Sequence, residues 1–146
     1  MKRTKPLALV AAVLVALVAL VSGCGGDDDA VNAPTMLEGS WSLVTLGDAA
    51  ADPAVPTTLS LNNGQATGNA GINTFNGPYS APSDGVLTFG TLASTMMAGP
   101  DNAMKQEQDF LAALGATKKF TTDNGNLVLM DDSEAKLAVL KPAGNG

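Results

Sequence analysis

The sequence has 146 residues, 45% hydrophobic and 15% charged, with a formal net charge of −6, no histidine and a single cysteine. Without His, Ser-His-Asp and Cys-His nucleophile systems and His-ligated metals are excluded. One Cys likewise excludes an internal disulfide, a zinc ribbon and a CxxC redox pair, and the length suits one modest domain.

The chain opens with Lys2, Arg3 and Lys5, followed by an unbroken run of Leu, Ala and Val from Leu7 to Val21. A spanning helix needs about 20 apolar residues, so this shorter run has the size of a signal-peptide core. The stretch Leu20-Val21-Ser22-Gly23-Cys24 resembles a bacterial lipobox. Residues 1–23 are therefore expected to be a lipoprotein signal peptide. Cys24 is the expected lipidation site and mature N-terminus, carrying acyl chains of the palmitate type. The expected location is the cell envelope, with Cys24 lipid-anchored at the outer membrane or the periplasmic face.

Removing the leader takes away three positive charges and leaves 14 acidic residues against five lysines, a net of −9. Such a surface repels phosphate backbones, so nucleic acid is not an expected partner. Residues 24–35, with Gly25, Gly26 and Asp27-Asp28-Asp29, read as a flexible acidic tether. A loop-bound calcium ion would want carboxylates spread over about 12 residues with fixed turn geometry. The domain is expected over residues 36–141 and a disordered tail over 142–146.

Most of that domain reads as short strands separated by turns. Ser40 to Leu46 is apolar around Trp41, Leu43 and Val44, and Thr57 to Leu61 places Leu59 and Leu61 on one face. Asn62-Asn63-Gly64 turns the chain into a short strand from Gln65 to Asn69. Pro78 to Ala81 and Val86 to Phe89 flank a Ser83-Asp84-Gly85 turn. After Pro100, Asp101 or Asn102 can cap a helix ending at Leu114, with Gly115 as the stop signal. Its apolar face is Ala103, Phe110 and Leu114, flanked by Met104 and Leu111. Lys105, Gln106, Gln108 and Asp109 lie opposite. Thr117 to Thr122, Leu127 to Met130 and Ala135 to Leu140 complete a meander, its first turn carrying the hairpin signal Asn124-Gly125.

These elements predict a mainly β fold: a strongly bent or closed antiparallel sheet, barrel-like, of about six to eight strands with one packed α-helix. The expected core is Trp41, Leu59, Leu61, Phe89, Phe110, Leu127, Leu129 and Val139, with Met96, Met97 and Met104 as core filler.

Three motifs then carry a resemblance. Leu37-Glu38-Gly39-Ser40-Trp41-Ser42-Leu43, Gly68-Asn69-Ala70-Gly71-Ile72-Asn73-Thr74-Phe75-Asn76-Gly77-Pro78-Tyr79 and Ser94-Thr95-Met96-Met97-Ala98-Gly99-Pro100 occur in that order. Met104, Glu107, Phe110 and Leu114 follow. Together they resemble META domains of the HslJ type. The resemblance implies a barrel-like β domain with one helix, common in envelope lipoproteins and loosely linked to stress and antibiotic tolerance, with no established reaction. The family's two cysteines fall at Ile72 and Gly99, both changed here. If those cysteines bond in the family, Ile72 and Gly99 should be spatial neighbours.

On their chemistry, the motif residues read mainly as architecture. Gly68, Gly71 and Gly77 give the backbone freedom, Asn73 and Asn76 can cap loop amides, and the Tyr79 hydroxyl can tie the loop back. The alternative is that this loop (Gly68, Gly71, Asn73, Asn76, Gly77, Tyr79) lines a binding site. Ser133-Glu134-Ala135-Lys136 matches S-x-x-K, but in a turn entering a strand it points Ser and Lys apart. Catalytic residues, metal ligands and cofactor are therefore expected to be none. The expected function is a lipid-anchored, non-catalytic binding or scaffolding module, its partners the membrane through the lipid and an envelope protein or small ligand. The alternative is an inhibitor of a secreted or periplasmic hydrolase.

Overall fold

The computed structural model describes residues 36–144. The signal-peptide, Cys24 and tether assignments, and residues 145–146 of the tail, lie outside the described residues.

In chain order the elements are β1 (Gly39–Leu46), β2 (Ala49–Ala50), β3 (Thr58–Asn62), β4 (Gln65–Asn69), β5 (Thr74–Ser80), β6 (Thr88–Phe89) and β7 (Ala93–Ser94). Then come α1 (Asp101–Ala116), β8 (Lys119–Asp123), β9 (Asn126–Met130) and β10 (Lys136–Pro142). Eight strands form one path, β6-β5-β4-β3-β1-β10-β9-β8, while β2 pairs with β1 and β7 with β5. Every pairing is antiparallel. The two ends of the path nearly meet. Val86 bridges to Lys119, the Leu87 N–H donates to the Lys118 carbonyl, and the Phe120 N–H donates to the Gly85 carbonyl. The result is a nearly closed barrel-like sheet.

Turn chemistry sets the register. Asn63 and Gly64 have φ of 46° and 75°, and Asn124 and Gly125 have 50° and 82°. Tight hairpins of this kind need positive φ at both central residues, which Asn and Gly tolerate best. Inside the barrel, strand alternation sends Leu59 and Leu61, Phe75 and Tyr79, and Leu127 and Leu129 inward. At Gly68 the wall is so close that a Cβ would overlap the Thr58 carbonyl. Only glycine fits there.

The expected core is largely in place, with two corrections. Val139 is half-buried, and its neighbours Ala138 and Leu140 point inward instead. The cause is a register shift between Lys136 and Ala138 in the β9–β10 pairing, which reverses the side-chain parity expected for an unbroken strand. Phe89 packs on the core but is only partly buried.

The methionines need a larger correction. Met96 is 95% exposed and Met97 56%, so neither fills the core, and Met104 is half-buried. The segment carrying the first two follows β7, a two-residue strand added to β5 beside the main path. That connection leaves them on the surface.

Helix α1 begins and ends differently from expectation. Pro100 is the N-cap residue, with φ −56° and ψ 145°, and no side chain caps the first turn. Asn102 donates to Asp52 Oδ2 instead. The helix also continues through Gly115 to Ala116, where Thr117 stops it. The Thr117 N–H reaches the Leu114 carbonyl and its hydroxyl donates to the Ala113 carbonyl at 2.8 Å.

The buried stripe is Ala103, Gln106, Glu107, Phe110, Ala113 and Leu114, so Gln106 lies on the packed face rather than opposite it. Phe110 meets Phe75 edge-on, with ring centroids 6.0 Å apart. The helix packs over the end of the barrel where β1 stops and β3 begins. Asp109, Ala112, Ala113 and Ala116 share a hollow there with Leu46, Gly47, Lys136 and Leu137. Leu37 lies at the other end, fully buried, and its carbonyl accepts from the Trp41 indole at 3.0 Å.

Candidate functional site: a buried Asn–Glu knot behind an exposed loop

Asn73 lies in the connection from β4 to β5, 2% exposed, and faces Glu107 on the second turn of α1, 6% exposed. A buried carboxylate is costly unless hydrogen bonds replace its hydration. Glu107 has three. Its Oε2 accepts from the Ile72 N–H at 2.9 Å and the Asn73 N–H at 2.7 Å, and its Oε1 accepts from Asn73 Nδ2 at 2.7 Å.

The rest of the Asn73 amide grips the segment after β7. Oδ1 accepts from Thr95 Oγ1 at 2.8 Å and from the Met97 N–H at 2.6 Å, while Nδ2 also donates to the Met97 carbonyl at 3.0 Å. Both donors and both acceptor sites of the amide are filled, so the side chain fixes that loop completely.

Burial alone would raise the pKa of Glu107. The Asn73 side chain, the Asn73 N–H and the Ile72 N–H together outweigh it and hold the carboxyl below its ordinary 4.5. The group therefore stays charged at neutral pH and acts as an anchor rather than a proton donor.

A second polar link runs beside it. Gln106 Oε1 accepts from the Asp52 N–H at 2.7 Å, and its Nε2 donates to the Val55 carbonyl and Thr57 Oγ1. Adjacent helix residues thus bind the two connections at that end of the barrel.

The motif residues divide. Gly71, with φ 150°, sits against α1, where a Cβ would approach the Ala103 carbonyl at 3.1 Å. Gly77 lies in β5, where a Cβ would meet the Thr91 carbonyl at 2.6 Å. Asn76 is an exposed residue of β5, opposite Thr67 and Ala93, and caps no loop amide. Tyr79 packs its ring 6.5 Å from Phe89, but its buried hydroxyl has no hydrogen-bond partner among the described residues. Burial raises its pKa above 10.0. So the Gly68–Tyr79 segment does not converge on one pocket. Of the six residues named for a binding loop, Asn73 is the one whose side chain grips the segment after β7, beside the backbone pairing of Thr74 with Thr95.

Two contributors are not among the expected site residues: Glu107 figures there only as a motif position, and Gln106 is expected on the face opposite the packed one. Their positions were legible: residues 103, 106, 107, 110, 113 and 114 form one helical stripe, and polarity alone removed two members from it. Ile72 and Gly99 do meet. A Cβ built on Gly99 would lie 2.5 Å from both Cδ1 and Cγ1 of Ile72, so the Ile side chain fills that space.

Ser133 and Lys136 do not form a pair. Ser133 Oγ donates to Asp131 Oδ1 at 2.7 Å, and Lys136 Nζ lies 3.9 Å from Asp48. Asp131 is the cap of that turn. The Ser133 hydroxyl, then the Ala135 N–H, hold its carboxyl below the ordinary range. Among the described residues no group of three or more His, Cys, Asp or Glu could hold a metal ion.

The three motifs thus occupy one structural unit: strand entry, anchored connection, and loop-plus-helix. A family model for the META domain matches residues 34–144. The chain belongs to the META domain family. Three solved structures are similar in fold to this META domain. A protein from Burkholderia xenovorans, solved by NMR, is 27% identical with a TM-score of 0.61, covering 75% of this chain and 86% of that one. A second NMR structure is 18% identical, with a TM-score of 0.56 over 72% of this chain and 89% of the other. A crystal structure of a DUF4847-family protein from Bacteroides vulgatus is 14% identical, with a TM-score of 0.55 over 77% and 97%. No curated protein matches the sequence.

Proposed function

We propose that this chain is a lipid-anchored cell-envelope protein whose META domain is a non-catalytic binding and scaffolding module, acting in envelope stress tolerance through the Ser94–Ala98 loop. One observation carries the reading. The buried Asn73 side chain, oriented by Glu107, fixes a loop that presents Met96 to solvent. A side-chain network of this kind preorganises a surface and commits the Glu107 carboxylate to hydrogen bonds.

Strand register supports the geometry. Gly39 pairs with Leu61 at one end of the barrel, whereas Asn69 pairs with Thr74 at the other, beside Thr95. A domain tethered at its N-terminus therefore carries this loop at the end away from the anchor. The lipobox-like stretch Leu20-Val21-Ser22-Gly23-Cys24 is what supports anchorage through Cys24. Two or more acyl chains give stable attachment, each buried CH₂ contributing about 0.8 kcal/mol.

Cys24→Ser should abolish lipidation and leave slowly processed precursor; normal processing would remove the anchor from the proposal. For the binding role, a photoreactive residue at position 96 in the native host should capture an envelope protein, and one at position 84 should not. Equal capture from both positions, or none, would reject the loop as the contact surface. Capture of a protease or glycosidase would replace scaffolding with hydrolase inhibition.

A further inference from the structure

Three methionines gather where the anchored loop meets the helix. Met96, Met97 and Met104 all line an open pocket of about 320 Å³, together with Asn73, Glu107 and Gln108. Two of them are among the few large apolar side chains left exposed. Thioether sulfur is polarizable and soft, and as a metal ligand it selects soft ions such as Cu(I). A hard cation finds little here. It needs several oxygen ligands, and both oxygens of Glu107 are already engaged by N–H donors.

The backbone is set for the purpose. Asn73 holds both the N–H and the carbonyl of Met97, and Met104 stands in the first turn of α1, its N–H on the Pro100 carbonyl. Two of the three sulfurs thus extend from backbone positions that are already fixed. No basic residue lines the pocket, and the charged Glu107 carboxylate does, which favours a cation.

We propose that the Met96–Met97–Met104 pocket binds a soft monovalent metal ion of the Cu(I) class through thioether sulfur. The proposal goes beyond the scaffolding role and can fail separately from it.

The test uses the full chain in detergent micelles with Cys24→Ser, so that no thiol competes, and with ¹³C-methyl methionine. Ag(I) serves as the redox-inert probe, followed by Cu(I) in competition with a chromophoric chelator under reductant. One equivalent of Ag(I) should shift the methyl resonances of Met96, Met97 and Met104 and leave Met36 and Met130 in place. Replacing all three with Leu should weaken Cu(I) binding by roughly tenfold or more. Met96→Leu alone should weaken it measurably, and at a position 95% exposed it leaves folding untouched. Unmoved methyls at the three positions, equal shifts at Met36 and Met130, or unchanged affinity in the triple variant would overturn the site. Unmoved methyls with crosslinking from position 96 intact would remove the metal site and leave the contact surface standing.

Discussion

Glu107→Ala should destabilise the domain by about 3 kcal/mol or more, because three N–H donors lose their acceptor in a largely buried place. That is a large share of the roughly 5–15 kcal/mol available to a small domain. The damage should spread along the network. Asn73 loses the partner that orients it, so the Met97 N–H should exchange with solvent much faster than in the parent protein.

Glu107→Gln separates charge from shape. One amide oxygen can still serve the two backbone donors, but the new NH₂ faces Asn73 Nδ2, and the expected loss is about 1–2 kcal/mol.

The pH dependence has a definite sign. A carboxyl whose folded pKa lies below its unfolded value of 4.5 adds stability that is complete above that value and is lost as pH falls through the folded one. The parent should therefore lose more stability than Glu107→Gln on acidification below 4.5. Melting temperatures of the two proteins across that range provide the comparison. Parallel curves would show that Glu107 contributes nothing through its charge.

The second large effect concerns Ile72 and Gly99. Gly99→Ala places a methyl 2.5 Å from two carbons of Ile72, so it should destabilise by about 1–3 kcal/mol through overpacking. Ile72→Cys with Gly99→Cys removes that clash and puts two thiols into the vacated volume. Under oxidising conditions they should form a disulfide closing a loop of about 27 residues, worth roughly 3.5 kcal/mol by chain-entropy estimates. Melting with and without reductant, alongside a free-thiol assay, measures the gain. Two free thiols after oxidation, or a Gly99→Ala variant more stable than its parent, would refute the packing account.

These two sites differ in how far the sequence disclosed them. Ile72 and Gly99 stood out because both family cysteine positions are changed together, a relation visible without coordinates. Glu107 was visible as a motif position, and its place on the helical stripe was computable, but neither disclosed what it binds. Residue type outweighed position, and a buried carboxylate becomes reasonable only once its donors are seen. Those donors come from residues about 35 positions away, beyond any periodicity argument.

The strands were readable where turn chemistry is strong, as at Asn63-Gly64 and Asn124-Gly125. They were lost where it is weak. The two-residue β2 and β7 carry no alternation to detect, and β5 begins at Thr74, ahead of the Pro78 start expected from composition. Met97 was misplaced for a related reason. Hydrophobicity predicts burial on average, and nothing local reveals that Asn73 holds this segment outside the wall.

The pairing of β1 with both β3 and β10 also bears on how the chain assembles. The first long strand cannot complete its pairing until the last one has left the ribosome or crossed a membrane pore. Until then one flank of β1 keeps its N–H and C=O groups unmatched, an invitation to strands from other chains. Closing it requires contacts between the two extremes of the domain, which carry a large loop-closure cost and slow folding. A polypeptide wired this way gains from being held extended until residue 142 is free, and then folding in one event.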